Sequence, residues 1–349
     1  METKFFDDQD NFLDHISDIA SKTLPWEQQP TTQLKLEATS NGVIFHSADG
    51  HIYALRDCSL RSLRQRLCSE ADLVTKVSNE ALDANNPEAA KLFVSYVDWA
   101  KQVLSLHGHK ENTKVSVVDG KVNAFLSTEY VEALDTKYIH DEAFKQICET
   151  TNETDFGFKG WWNYAISMAE YKTSKEIQLN SCFYKTVIRV RTSDAGYSSI
   201  GIGTGLTRNG VFVPLMSDID IPHRGSKSST VAEHRVKFEE NFAEALNQMD
   251  KVVNQSIATI KSLITVKIAN PRGCALSVAK AIGLPKPNVK KVIDQSPIGG
   301  DTAWDVYLKL CEIFDDSWDA EKRIKQSGNL AKILGITNWK KYDVVFEWR

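Results

Sequence analysis

The chain has 349 residues, of which 42% are hydrophobic and 25% charged, and it carries a formal net charge of −4. Those proportions suit a soluble globular protein with two or three cores, and the acidic residues 1–10 lack the apolar stretch of a secretory signal. No run approaches the roughly 18 apolar residues of a membrane span, and Cys58, Cys68, Cys148, Cys182, Cys274 and Cys311 lie scattered without C-x-x-C spacing, as expected of reduced thiols in a cytoplasm rather than a disulfide framework or a zinc site.

In chain order, residues 8–21 place Phe12, Ile16 and Ile19 at helical spacing. Four dipeptides then mark hairpins, since Asn-Gly and Asp-Gly tolerate the positive φ of type I′ turns. They are Asn41-Gly42, Asp49-Gly50, Asp119-Gly120 and Asn209-Gly210. Between them Ser59 opens a helix to residue 67. Asn86-Pro87-Glu88 starts another that runs to about residue 104, because proline at the first helical position gives up an N–H with no partner there. Residues 140–149 predict a further helix. The alternating run 177–191, with Phe183, Val187, Ile188 and Val190, predicts one strand.

Residues 231–264 read as a single amphipathic helix about 50 Å long. Its stripe comprises Phe238, Phe242, Leu246, Met249, Val253, Ile257, Ile260 and Ile264. Burial within the chain is the expected fate of this stripe; the alternative is a homo-oligomer seam. Residues 301–334 are helical again, with an acidic patch at Asp315, Asp316 and Asp319. The fold expected is α+β, an antiparallel hairpin-rich sheet crossed by helices with a helical C-terminal part. The expected divisions are an N-terminal helix in 1–30, an α+β domain in 31–230 and a helical domain in 231–349.

Charge divides unevenly, at −9 over residues 1–150 and +5 over residues 151–349. Lys251, Lys261, Lys267, Arg272, Lys280, Lys286, Lys290 and Lys291 occupy residues 251–291 without one Asp or Glu between them. A basic segment in an acidic chain is the footprint of a polyanion site. Residues 275–294 also match a helix-turn-helix. Small Ala279 permits close approach, Gly283 suits a turn of positive φ, and Val278, Ile282, Leu284, Val289 and Val292 form an interior. Lys286, Asn288, Lys290 and Lys291 then point outward, where Asn can read adenine and Lys can meet guanine or phosphate. With Lys280, Arg272 and Lys267 they make the candidate nucleic-acid surface. The alternative is a helical corner with solvated lysines.

Residues 223–230 supply a second candidate, a phosphate loop of His223, Arg224, Ser226 and Lys227 before a helix N-terminus. A solvent-exposed capping loop is the competing view. Gly201, Gly203 and Gly205 alternate along one strand face and flatten it, for packing or for close approach of a nucleic-acid strand. Phe156, Phe158, Trp161, Trp162 and Tyr164 around Lys159 are expected to anchor a core, with base stacking as the alternative. His107-Gly-His109 holds two possible metal ligands, but no carboxylate spacing of a metal site accompanies them, and the segment reads as a surface turn. Asp218 and Asp220 would need further carboxylates to hold Mg²⁺. No nucleophile, Walker, kinase or zinc-protease pattern occurs, so no enzyme, metal or cofactor is expected.

The run Asp119-Gly-Lys-Val-Asn-Ala-Phe-Leu-Ser-Thr-Glu-Tyr130 resembles the DGKVRAFLSDRY segment of a family of phage- and plasmid-encoded proteins of unknown function. The helix at residues 61–67, Arg208-Asn-Gly210, His223-Arg-Gly225 and Thr302-Ala-Trp-Asp305 are similar to further stretches of that family. Thr128-Glu-Tyr130 departs from its Asp-Arg-Tyr. The resemblance implies a mobile-element origin and a bacterial cytoplasm, and it carries no chemistry. The function expected is non-enzymatic nucleic-acid binding, DNA more than RNA, in single-strand handling or recombination support. The alternatives are a protein-binding factor acting on a host or viral partner, and a helix-turn-helix transcriptional regulator. No membrane contact is expected.

Overall fold

A computed structural model gives the fold and describes residues 2–67, 72–132, 134–223, 229–314 and 320–348. Cys68, Arg224, Ser226, Lys227 and the acidic patch at Asp315, Asp316 and Asp319 lie outside the described residues. The chain begins with β1 (Lys4–Phe6) and α1 (Gln9–Ser21), whose N-cap Asp8 accepts from the Asn11 N–H at 2.8 Å. β2 (Glu27–Pro30), β3 (Lys35–Thr39), β4 (Gly42–His46) and β5 (Ile52–Leu55) follow. Then come α2 (Asp57–Arg66), α3 (Asp72–Glu80) and α4 (Pro87–Leu106), the last capped by Asn86 with Pro87 in its first turn. β6 (Asn112–Val118) and β7 (Lys121–Ser127) form a hairpin, and α5 (Thr136–Thr151) leads to the second half.

That half opens with β8 (Gly157–Trp162), β9 (Ser167–Leu179), β10 (Cys182–Thr192), β11 (Ile200–Arg208), β12 (Val211–Pro214) and β13 (Ile219–Ile221). It closes with the 35-residue α6 (Val231–Thr265), then α7 (Pro271–Ala281), α8 (Lys286–Gln295), α9 (Ala303–Cys311) and α10 (Ala320–Ala331). The class is α+β, with a helical C-terminal part.

The strands make two sheets among the described residues, where the sequence led us to expect one. The order in the first is β2-β6-β7-β5-β4-β3; in the second it is β1-β8-β9-β10-β11-β12, with β13 beside β11. Pairing is antiparallel except between β5 and β7, which run parallel because three helices intervene between β5 and the β6–β7 hairpin. Asp119-Gly120 and Asn209-Gly210 take positive φ at both residues, 48° and 68° and then 52° and 79°, as type I′ turns require. The predicted strand over 177–191 is instead two strands. Asn180 takes φ 58° and turns β9 back as β10, because its short amide side chain tolerates the left-handed region.

Three large apolar cores and two smaller clusters result among the described residues. The first sheet packs on α2 and α4 through residues such as Leu63, Phe93, Val97 and Phe125. One face of the second sheet buries Tyr171, Ile188 and Ile202 against α1, α5 and the first half of α6. The third core joins the second half of α6 to the C-terminal helices through Val253, Ile260, Val289, Tyr307 and Trp339. Residues 1–30 do not stand apart: β1 pairs with β8, β2 pairs with β6, and Phe12 and Ile16 enter the second core. The boundary expected at 231 marks the start of a helix shared by two cores.

The stripe of α6 is therefore internal. Phe238, Phe242, Leu246, Met249, Val253 and Ile260 are all buried within the chain, so this face is not available as an oligomer seam. We expect Phe242→Ala to cost about 3–5 kcal/mol, as for other fully buried phenylalanines. Thermal melting should fall sharply while light scattering reports an unchanged mass. A lower mass with an intact melt would mean that the stripe holds subunits together.

Candidate nucleic-acid interface

The α7–α8 pair begins with local chain chemistry. Gly283 takes φ 78°; its N–H donates to the Lys280 carbonyl at 3.3 Å and that of Leu284 to the Ala279 carbonyl at 2.9 Å. This is a Schellman closure, which stops α7 and drops Leu284 into the core. Pro287 lies in the first turn of α8, where its missing N–H leaves nothing unpaired. Val289, Val292 and Ile293 face inward. Lys290 and Lys291 are exposed, and Lys286 and Asn288 are half-buried beside them.

The remaining cations of the basic segment are placed differently. Lys280 is exposed on α7 and lies 5.5 Å from the Phe346 ring. Arg272 pairs with Asp294 at 2.8 Å and Lys267 with Asp301 at 2.6 Å. Both pairs are exposed and of small energetic weight. They nevertheless draw carboxylates from outside residues 251–291 to the flanks of a segment that contains none of its own.

His223, expected in an open loop, is buried. Its ring stacks on Tyr130 at 4.4 Å, neither ring nitrogen has a hydrogen-bond partner among the described residues, and burial lowers its pKa to about 4. A neutral buried imidazole cannot contact phosphate from that position. The aromatic cluster is also interior: Phe156, Phe158, Trp161 and Trp162 are buried, while Tyr164 lies under the Arg56 guanidinium at 3.3 Å. His107 caps the C-terminus of α4. Asp218 and Asp220 both bind Arg191, the first at 2.7 Å, and no group of three or more metal-ligating side chains occurs among the described residues.

The second sheet has another face, which period-2 alternation turns away from the helices of its core. Its register sets out four rows. Trp161, Met168, Arg191 and Gly201 form the first, and Lys159, Glu170, Arg189 and Gly203 the second. Gly157, Lys172, Val187 and Gly205 form the third, and Glu176, Lys185, Thr207 and Phe212 the fourth. The glycines of β11 have a physical reason. A Cβ at Gly201 would strike the Arg191 guanidinium, one at Gly203 the Asp218 carboxylate and one at Gly205 the Phe212 ring.

α10 covers the first two rows. Ala320 packs with Trp161 and Met168, and the Arg323 guanidinium lies 4.1 Å from the Trp161 ring. Ser327 Oγ accepts from Arg189 at 2.7 Å, and the same arginine donates twice to Glu170, at 3.0 and 2.6 Å. The last two rows remain open as a groove of about 310 Å³ that includes Lys172, Lys185, Phe183, Arg208 and Phe212, with Lys159 and Glu170 of the second row and Arg323 of α10 at its closed edge. Sequence reading noted Lys159, the glycines and Arg208 separately. It missed the groove because the hairpin at Asn180, which sets Lys172 near Lys185, was read as continuous strand.

A second cleft of about 280 Å³ lies between the two sheets, lined in part by Trp26, Ser116, Asn123, Ser167 and Asp194. Asp194 Oδ2 accepts from the Thr136 N–H at 3.2 Å, whereas Oδ1 is buried without a partner, and burial raises its pKa to about 7. Ser167 Oγ lies 2.9 Å from His140 Nε2, but among the described residues His140 Nδ1 has no partner to orient the ring, and burial lowers its pKa to about 3. The serine–histidine pair thus lacks the third member of a nucleophilic relay. Cys58, hydrogen-bonded to Asn123 at 3.4 Å, is pushed up to about 12 by burial and is a poor thiolate.

In comparisons of this chain with family models, curated proteins and solved structures, none matched.

These buried groups give stability a defined pH dependence. The unfolded Asp194 carboxyl releases its proton near 3.8 and the folded one near 7, so the folded state holds the extra proton between and loses stability as pH rises through that window. Asp194→Asn should therefore gain on wild type by roughly 2–4 kcal/mol between pH 4 and 8 in urea melts. A pH-independent difference would contradict this. His140 and His223 act oppositely, since their lowered values remove stability as pH falls below 6.5.

Proposed function

We propose that this chain is a non-enzymatic nucleic-acid-binding protein of a phage or plasmid, acting in a bacterial cytoplasm in single-strand handling or recombination support. The observation that carries the reading is the outward side of α7–α8, where Lys280, Lys286, Asn288, Lys290 and Lys291 stand around a helix whose opposite side is anchored in the core. Clustered lysines bind phosphates chiefly by releasing condensed counterions. A transcriptional regulator would use the same surface and would in addition prefer one duplex sequence.

Replacing Lys286, Lys290 and Lys291 together by Glu should weaken nucleic-acid binding by well over tenfold, because contacts to several phosphates are lost and repulsion is added. Gel shifts on single- and double-stranded DNA and RNA measure this, with circular dichroism as the control for folding. Unchanged affinity in a folded variant contradicts the reading.

A second reading, a protein-binding factor that takes a further copy of this chain as its partner, gains support from α4. Leu92, Trp99 and Leu106 are 60%, 59% and 86% exposed, and with Tyr96 and Val103 they follow 4-3-4-3 spacing along its outer side. Such spacing is the pattern of a helix–helix seam. In this reading Leu92→Lys with Trp99→Lys lowers the assembly mass seen by light scattering. Equal masses for variant and wild type contradict self-association through α4.

A further inference from the structure

We propose that the open half of the second sheet's outer face binds single-stranded nucleic acid, one nucleotide unit seated in the groove with its phosphate on Lys172 and Lys185 and its base against Phe183. This deepens the nucleic-acid reading and rests on it, but it uses a surface formed by β8–β12 rather than the α7–α8 helices.

Charge is the first argument. Along this face the sheet supplies a carboxylate wherever a cation is buried: Glu170 for Arg189, Asp218 and Asp220 for Arg191. In the open rows that compensation stops. Lys172 is exposed and Lys185 half-exposed, and neither makes an ion pair among the described residues, although Glu176 stands across from Lys185 in the register. Arg208 adds a third exposed cation at the groove, held 5.7 Å from the Tyr184 ring.

Shape is the second argument. A Cβ at Gly157 would strike the Lys172 side chain and one at Gly205 the Phe212 ring, so the two glycines let these side chains lie low along the third row. At about 310 Å³ the groove lies at the lower end of the roughly 300–1,000 Å³ range of ligand pockets. That is room for one nucleotide unit and not for a duplex.

An aromatic surface is the third. Phe183 is 58% exposed on β10, an unusual position for a phenylalanine, and it shares the groove with the lysines. Stacking on an exposed ring needs an unpaired base, which a duplex keeps turned inward, so cations beside a free aromatic select a single strand.

The test uses the full chain and fluorescence anisotropy with a labelled oligothymidine of about 20 nucleotides and a duplex of about the same length. Lys172→Glu with Lys185→Glu should weaken oligothymidine binding about tenfold or more and lower its salt slope by roughly 0.7, the share of the one phosphate lost, while duplex binding stays close to wild type. Phe183→Ala, which leaves the charges in place, should cost about tenfold on oligothymidine with the salt slope unchanged. If both variants bind oligothymidine like wild type while substitution of the α8 lysines abolishes binding, the groove is overturned and the nucleic-acid reading stands. Equal losses on duplex and single strand overturn the single-strand assignment. A wild-type chain that binds neither probe overturns both.

Discussion

Arginines buried on a β-sheet must meet carboxylates, and this requirement organises the second half of the molecule. Arg189 and Arg191 are almost wholly inaccessible, and each is held by acids from a neighbouring strand or turn. An unpaired buried charge would cost several kcal/mol. The glycines of β11 follow from the same requirement, because Arg191 and Asp218 occupy the space where side chains at Gly201 and Gly203 would stand. Where charge is balanced, α10 can close the face. Where lysines outnumber the acids, the face stays open, and the groove is the consequence.

The opposite face of the same sheet obeys a simpler rule. Ile188 and Val190 alternate with the arginines along β10 and enter an apolar core with α1, α5 and α6. α6 then continues into the C-terminal core, so one helix ties the sheet to α7–α8. The two basic surfaces are thereby fixed to one framework. The proposed reading uses both, holding a strand at one place and contacting phosphate at the other.

Much of the fold was legible because it rests on local chemistry. The helix start at Asn86-Pro87, the Asp119-Gly120 and Asn209-Gly210 turns, the α6 stripe and the Gly283 break each follow from a few adjacent residues. What escaped depends on partners far away in sequence. Asn180-Ser181 is a turn signal, but without the glycine of the other four dipeptides it reads as part of a continuing strand, and the parallel β5–β7 pairing joins segments separated by three helices. The site divides the same way. The outward lysines of α8 were predictable from helical phase, whereas the burial of His223 beside Tyr130 and the sharing of one groove by Lys172 and Lys185 exist only in three dimensions.

The most direct test of the central claim, that this chain binds nucleic acid through clustered cations, is the salt dependence of affinity for a single-stranded oligonucleotide. With several phosphates engaged, the plot of log affinity against log salt should fall with a slope of about −3 or steeper, at roughly 0.7 per phosphate. A flat plot, or no binding at low salt, would contradict the account.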